Sequence, residues 1–245
     1  MLTAGVDLSA EPKGTALAVV EWLSGSAILR ELRLGVSDEP VLEIASRVDK
    51  LGIDCALGWP EDFISFLNAQ KDFSTPHYFD GGMDWRRQLS YRETDRHARE
   101  LTGRWPLSVS TDRLGLTAMR AAGLLSKLAR SGVTIDRTGA GLIAEVYPGA
   151  TLRLWGFDTQ GYRTSAESRA ALLANLLQSA PWFDPGDFDE HMVNSCDAFD
   201  AVVASLATRA VATGSYHQPS QEQSARAAVE GWICLPTTNL NSLVA

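Results

Sequence analysis

The apolar and polar positions of the first sixty residues change from strand-like to helix-like spacing and back. Three apolar runs separated by short Pro-, Gly- and Ser-containing segments predict a β-meander. The runs span residues 4–8, 15–22 and 27–34. Apolar positions at helical spacing then predict a helix from Pro40 to Leu51, ended by Gly52, and residues 53–57 predict a buried strand. Because this strand follows a crossover helix, we expect it beside the first strand and parallel to it.

The rest of the chain is mainly helical by the same criteria. Helices are predicted over residues 61–71, 86–101, 114–130, 164–177 and 195–213, with a buried strand over residues 142–147 that ends at Pro148. Thr164 and Glu167 match a capping box. We therefore predict one α/β domain over residues 1–245, with a helical insertion at about 60–135.

Composition and cysteine usage exclude several classes of protein. Hydrophobic residues make up 45% of the 245, and no uncharged apolar stretch approaches the roughly 18 residues of a membrane span. The first ten residues lack a basic region, so we expect no signal peptide and no membrane partner. Three cysteines without a CxxC pair favour a reducing, cytoplasmic location. The sequence carries no indication of oligomeric state.

Charge is distributed unevenly along the chain. The net charge of −8 argues against non-specific coating of nucleic acid, yet residues 86–130 carry +6. Residues 184–200 hold six acids and no Lys or Arg. The basic stretch favours a phosphate-bearing partner and the acidic stretch favours a metal site. The alternative is two solvated helical faces.

Acidic residues in predicted strands are the first candidates for chemistry. Asp7 lies in the first strand and Asp54 in the strand expected beside it, so the two carboxylates should meet at one end of the sheet. Like charges held that close need a cation between them or a proton. Asp197 and Asp200 are three residues apart and share a helix face, while Glu145 lies in the later strand. Together these acids favour a divalent-metal site, and their oxygen ligands suit Mg²⁺ or Mn²⁺.

Each acid also has a structural alternative. Asp7 can end its strand in a turn, since Ser9 and Pro12 follow. Asp197 and Asp200 can stabilise the helix macrodipole from its first turn. Glu145 can bond to a neighbouring arginine or a backbone group.

Seven sequence motifs resemble those of a known family. The acid in GVDLSA, the acid in IDCALGWP and the helical pair in CDAFDAVVASLATRA resemble the ribonuclease H-like fold. With KGTALAVV, YRETDRHARELTG, AEVYPGATL and EGWICLP they resemble domain-of-unknown-function family 429, a group of predicted nucleases of that fold. The resemblance runs from residue 5 to 236. It implies a three-stranded meander, a crossover helix, parallel strands and flanking helices.

The resemblance also implies a chemistry. It places Asp7, Asp54, Asp197 and Asp200 as metal ligands and adds Glu145 as a further catalytic acid. The implied reaction is two-metal phosphodiester hydrolysis with Mg²⁺ or Mn²⁺. The substrate would be a nucleic acid or a nucleotide-type phosphodiester.

Three arginines of YRETDRHAREL share one helical stripe. Arg92, Arg96 and Arg99 are candidates to bind the substrate phosphate, because arginine forms bidentate bonds to phosphate. The alternative is ordinary pairing with Glu93, Asp95 and Glu100 on the same helix.

We therefore predict a divalent-metal-dependent nuclease or phosphodiesterase. One alternative is an ATP-using enzyme of the sugar-kinase and actin-like superfamily, because GVDLSAEPKGTA partly matches its first phosphate loop. Another is a catalytically inactive ribonuclease H-like binding module whose acids are structural. Metal binding separates the first from the last, and saturable ATP binding separates the second from both.

Overall fold

One mixed sheet organises the chain. A computed structural model describes residues 1–72 and 81–244. The six strands of the sheet are β1 (Leu2–Asp7), β2 (Ala16–Leu23), β3 (Ser26–Leu34), β4 (Lys50–Asp54), β5 (Ile143–Glu145) and β6 (Phe183–Asp184). Their order is β5-β4-β1-β2-β3-β6. β1, β2 and β3 form the predicted antiparallel meander, and β4 is parallel to β1 as expected. The mixed α/β class and the placement of the crossover strand are therefore confirmed.

The described residues contain ten α-helices. They are α1 (Asp38–Ala45), α2 (Glu61–Asp72), α3 (Gly82–Ser90), α4 (Glu93–Thr102), α5 (Gly115–Arg130), α6 (Pro148–Leu154), α7 (Ala166–Ser179), α8 (Asp189–Asn194), α9 (Cys196–Ala212) and α10 (Ser224–Glu230). Helices α2 to α5 lie between β4 and β5 in the chain, where the insertion is predicted. Residues 73–80 of that range lie outside the described part.

Apolar side chains bury both faces of the sheet. Alternate residues of β1, including Val6, pack with α1 and α5 on one face. On the other face, the apolar residues of β2 pack with those of α7 and α9. Gly5 and Asp7 alternate with Val6 and therefore face α9. Within the described ranges, no helix combines the length and the apolar character needed to cross a membrane.

Two sequence predictions misplaced element boundaries. The first helix ends at Ala45 rather than at Leu51, and the strand predicted over residues 53–57 is Lys50–Asp54, so it includes Leu51 and Gly52. Lys50 begins that strand and is buried, with its ammonium group donating to the carbonyls of Gly139 and Gly141. These two hydrogen bonds compensate for burial of the ammonium group, although lysine is normally found at the protein surface.

The helix predicted over residues 86–101 is two helices. Tyr91 and Arg92 adopt extended backbone between α3 and α4. The Asp95 carboxylate accepts a hydrogen bond from the backbone N–H of Arg92 at 2.9 Å and so caps the start of the second helix.

The cap of α7 also differs from the prediction. Ser165 rather than Thr164 caps this helix, since its hydroxyl accepts a hydrogen bond from the N–H of Ser168.

Candidate carboxylate site

Two aspartates end neighbouring parallel strands. Asp7 is the last residue of β1 and Asp54 the last of β4, and the two are direct partners in the β1–β4 register. Partnered residues of adjacent strands project to the same face of the sheet, a few ångströms apart. The structure therefore brings Asp7 and Asp54 together on the face that α9 covers.

A pair of glycines lets α9 approach this face closely. Gly5 and Gly52 are also register partners, two residues before the aspartates. A Cβ on Gly5 would lie 2.2 Å from the backbone nitrogen of Ser205, and one on Gly52 would lie 1.9 Å from the Thr208 hydroxyl oxygen. Because any side chain at these two positions would meet α9, their glycines set the distance between helix and sheet.

The N-terminal half of α9 carries the two remaining aspartates to the strand ends. Ser195 caps the helix through the N–H of Ala198, Asp197 lies in the first turn and Asp200 follows three residues later. Asp200 is buried and Asp197 is partly exposed. Both aspartates line one cleft with Asp7 and Asp54, which we call the carboxylate cleft. Four of the five predicted acids therefore border one space.

Two residues that the sequence analysis missed contact Asp200. The Tyr162 hydroxyl donates to Asp200 Oδ1 at 3.0 Å. Arg163 Nη2 lies 3.6 Å from Asp200 Oδ2, and Arg163 lines the carboxylate cleft while its side chain remains 53% exposed. Both come from the segment between α6 and α7, which has no recognisable motif. Only the folded chain places them beside acids that are distant in sequence.

The carboxylates bind protons more tightly than free aspartates do. Burial, followed by the charge of Asp200, raises the pKa of Asp54 to about 8. Burial, followed by the charge of Asp54, raises the pKa of Asp7 well above its usual range. Burial also raises the pKa of Asp200 to about 6, although Arg163 opposes that rise. Arg163 favours the ionised form of all three aspartates but does not offset their burial and mutual repulsion. A further cation in the cleft would lower these pKa values.

The side chains of the carboxylate cleft are of the right chemical type for a hard divalent cation, but they are not arranged around one. Carboxylate oxygens are the ligands that Mg²⁺ and Mn²⁺ prefer. In residues 1–72 and 81–244, however, no three His, Cys, Asp or Glu side chains stand close enough together to hold a metal ion. Asp200 directs its oxygens to Tyr162, Cys196 and Arg163 instead. To act as a metal ligand, Asp200 would have to exchange these partners for the cation.

Glu145 has a different environment from the four aspartates. It lies in β5, and its carboxylate receives a bidentate pair of bonds from the Arg92 guanidinium at 2.7 and 2.8 Å. The backbone N–H of Leu57 donates to the same carboxylate. Arg92 also pairs with Asp95 at 2.9 Å, and all three charged side chains are buried. The structure thus shows the alternative in which Glu145 pairs with an arginine, and Arg92 has its donors occupied within the protein.

The other two arginines of the predicted phosphate stripe lie away from the acids. Arg96 donates to the carbonyl of Tyr91 at 2.9 Å and lies 3.8 Å from Glu93. Neither Arg96 nor Arg99 is among the residues that line the carboxylate cleft. The structure places Arg163 there instead, while Arg92 lines a neighbouring cavity with Asp7, Asp54 and Glu145.

Comparison with known proteins assigns the family. The family described as "Protein of unknown function (DUF429)" matches residues 5–224, which is most of the chain. The chain belongs to this family. The family part of the sequence-based resemblance is therefore confirmed, and the description of the DUF429 family names no activity. No curated protein and no solved structure matches the chain.

Proposed function

We propose that this DUF429 protein is a divalent-metal-dependent phosphodiesterase with a ribonuclease H-like architecture. One observation carries the proposal: Asp7 of β1, Asp54 of β4 and Asp200 of α9 line one cleft that Arg163 also lines. The order of the meander, the crossover strand and the C-terminal helix supports the architecture. The raised pKa values support a cation, because such groups repel one another when ionised.

Each cleft residue has a definable role in this proposal. Asp7 and Asp54, fixed at strand ends, would hold Mg²⁺ or Mn²⁺ with Asp200, and Asp197 would contribute from the cleft mouth. The bound ions supply Lewis acidity for hydrolysis of the phosphodiester. Arg163 binds a phosphate oxygen of the substrate through its exposed guanidinium. Tyr162 donates to Asp200, and Asp200 would exchange this partner for the cation if it served as a ligand.

Calorimetric titration of Mn²⁺ into metal-stripped protein tests the site. We expect wild type to bind one or two ions, and Asp7→Asn and Asp200→Asn to lose that binding. Asp187→Asn is the matched control, since Asp187 is an exposed acid that does not line the cleft. Affinity should increase between pH 6 and pH 8, because Mn²⁺ must displace protons from acids whose pKa values are raised.

The reaction is tested separately with a single-stranded oligonucleotide in Mn²⁺. Mn²⁺-dependent cleavage that Asp7→Asn and Asp200→Asn abolish would support the proposal. Absence of Mn²⁺ binding at millimolar concentration, with and without oligonucleotide, would overturn it. Mn²⁺ binding without cleavage would favour the binding module, and saturable ATP binding would favour the ATP-using alternative.

A further inference from the structure

A second cleft adjoins the carboxylate cleft and has the opposite charge. It lies among α6, the segment that precedes α7 and the segment that follows α4, and its volume is about 410 Å³. Three arginines line it, Arg104, Arg153 and Arg163, while no Asp or Glu of the described residues does. We call this space the arginine cleft. Because Arg163 lines both clefts, the two meet at this residue.

Arg153 has buried donors without partners. Its Nε and Nη2 atoms are buried and have no hydrogen-bond acceptor among the described residues. Its Nη1 reaches only the Thr159 hydroxyl, at 3.5 Å, and its Cζ lies 5.9 Å from the ring centroid of Tyr147. A guanidinium group is charged at every physiological pH, so buried donors of this kind are unfavourable until an acceptor reaches them. A small movement of the atoms that cover Nε and Nη2 would let an anion in the arginine cleft supply that acceptor.

A glycine keeps the space between two of these arginines open. A Cβ on Gly149 would lie 3.6 Å from Arg163 Nη2 and 3.7 Å from Arg153 Nη1. The Tyr162 hydroxyl lies 3.3 Å from the same point, so one nitrogen of each guanidinium and a phenol oxygen surround the position that a side chain at residue 149 would occupy. Two planar, forked donor groups near one point match the oxygens of a phosphate better than they match a single-atom anion.

An exposed tryptophan lines the same cleft. Trp105 is 42% exposed, and it stacks on Tyr91 with a centroid separation of 4.2 Å. The stack supports one face of the indole and leaves the side chain open to a ligand. Nucleic-acid bases stack on such aromatic surfaces when they are unpaired. The combination of a phosphate-sized anion site and an aromatic surface is typical of single-strand recognition.

We propose that the arginine cleft binds a non-scissile phosphate of a single-stranded nucleotide chain, with a neighbouring base stacked on Trp105. Arg163 then lies between the bound phosphate and the next phosphate of the nucleotide chain, which is on the side of the carboxylate cleft. The identification of this ligand as the substrate rests on the proposed function, whereas phosphate binding by the arginines does not. The substrate class is therefore single-stranded DNA or RNA rather than a duplex.

Binding is measured without metal, so that it does not depend on hydrolysis. The probe is a 5′-phosphorylated, fluorescein-labelled thymidine hexamer in EDTA at low salt, followed by fluorescence anisotropy, with inorganic phosphate as competitor. We expect Arg153→Gln and Gly149→Ala to weaken hexamer binding by about tenfold or more. Trp105→Leu should weaken binding of the hexamer but leave competition by inorganic phosphate unchanged.

Two control variants match these substitutions. Gly123→Ala adds a methyl group in α5, where nothing lies within 4 Å of it. Arg30→Gln removes an exposed arginine that pairs with Glu21 on the sheet. Both should bind the hexamer as wild type does. Hexamer binding by Arg153→Gln and Gly149→Ala within twofold of wild type would overturn the proposal.

Thermal unfolding separates a binding role of Arg153 from a structural one. Because its Nε and Nη2 atoms lack partners, Arg153→Gln should leave Tm unchanged or raise it. A lower Tm with unchanged hexamer affinity would assign Arg153 to structure and overturn the proposal. If Tm falls and affinity falls with it, Gly149→Ala decides, because that variant keeps every arginine.

The two proposals fail in different experiments. Arginine-dependent binding in EDTA without cleavage in Mn²⁺ would overturn the proposed hydrolysis and retain the arginine cleft. Cleavage in Mn²⁺ with hexamer binding that is insensitive to Arg153→Gln and Gly149→Ala would retain the hydrolysis and overturn the cleft.

Discussion

Gly52→Ala tests the close contact that holds α9 over the carboxylate cleft. The new Cβ would lie 1.9 Å from Thr208 Oγ1 and 3.2 Å from Val146 Cγ2. Thr208 is fully buried, and its hydroxyl donates to the carbonyl of Ala204 at 2.7 Å, so its side chain has no free direction in which to move. Overpacking of this kind lowers the free energy of unfolding by about 1–3 kcal/mol.

The partner substitution Thr208→Ala makes this prediction specific. It removes the atom at 1.9 Å and leaves Thr208 Cβ at 3.2 Å, a distance that a shift of a few tenths of an ångström relieves. Alone it should cost about 1 kcal/mol through the lost hydroxyl contact. In the double variant most of the clash disappears, so we expect a favourable coupling of about 1–2 kcal/mol between the two substitutions.

Urea unfolding followed by circular dichroism measures all four members of this cycle. Gly5→Ala is the contrasting case, since its Cβ would meet backbone atoms of Ser205 and Ala201 at 2.2 and 2.3 Å. No side-chain truncation relieves that contact, so Thr208→Ala should not rescue it. Additive energies for Gly52→Ala and Thr208→Ala would refute the reasoning, as would a Gly52→Ala variant as stable as wild type.

Two further predictions concern the buried charges. Because the pKa of Asp54 is raised, the folded state holds a proton that the unfolded state has released. Asp54 therefore lowers the stability of the metal-free protein as pH rises from about 4 to about 8. Urea unfolding in EDTA should therefore show Asp54→Asn gaining stability over wild type between pH 5.5 and pH 8, and a constant difference would contradict the shift. Arg92→Met leaves Glu145 and Asp95 buried without their cation, and we expect a loss of about 3–5 kcal/mol. A loss below about 1 kcal/mol in the same assay would show that the network tolerates removal of its charge.

Local pattern accounts for the part of the site that the strands form. Turn residues delimit β1, β2 and β3, and the rule for crossover connections places β4 beside β1. Asp7 and Asp54 could therefore be paired from the sequence. The apolar face of α9 indicates which side of the helix packs on the sheet, and hence where Asp200 lies. Gly5 and Gly52 allow that close packing, but they can be recognised as a pair only when the register of β1 and β4 is known.

Contacts between distant segments account for what the sequence could not predict. Arg163 and Tyr162 lie in a loop without periodicity, and their role depends on where α6 ends relative to α9. Glu145 and Arg92 are 53 residues apart and meet only because α4 packs near the end of β5. The end of the first helix was misplaced because Leu51 continues the helical spacing of the residues before it. The buried Lys50 that begins β4 resembles a surface residue in the sequence.

The order of translation affects when α9 can pack against Gly5 and Gly52. Both glycines are translated early, whereas Ser205 and Thr208, which cover them, follow more than 150 residues later. At roughly 5–20 residues per second, the uncovered strands wait on the order of 10 s for their helix. During that interval the two glycines lack the helix that covers them, and Arg163 is also made after both strand aspartates. Assembly of the carboxylate cleft is therefore a late event of biosynthesis, and a premature stop before α9 leaves the strand acids without their helical partners.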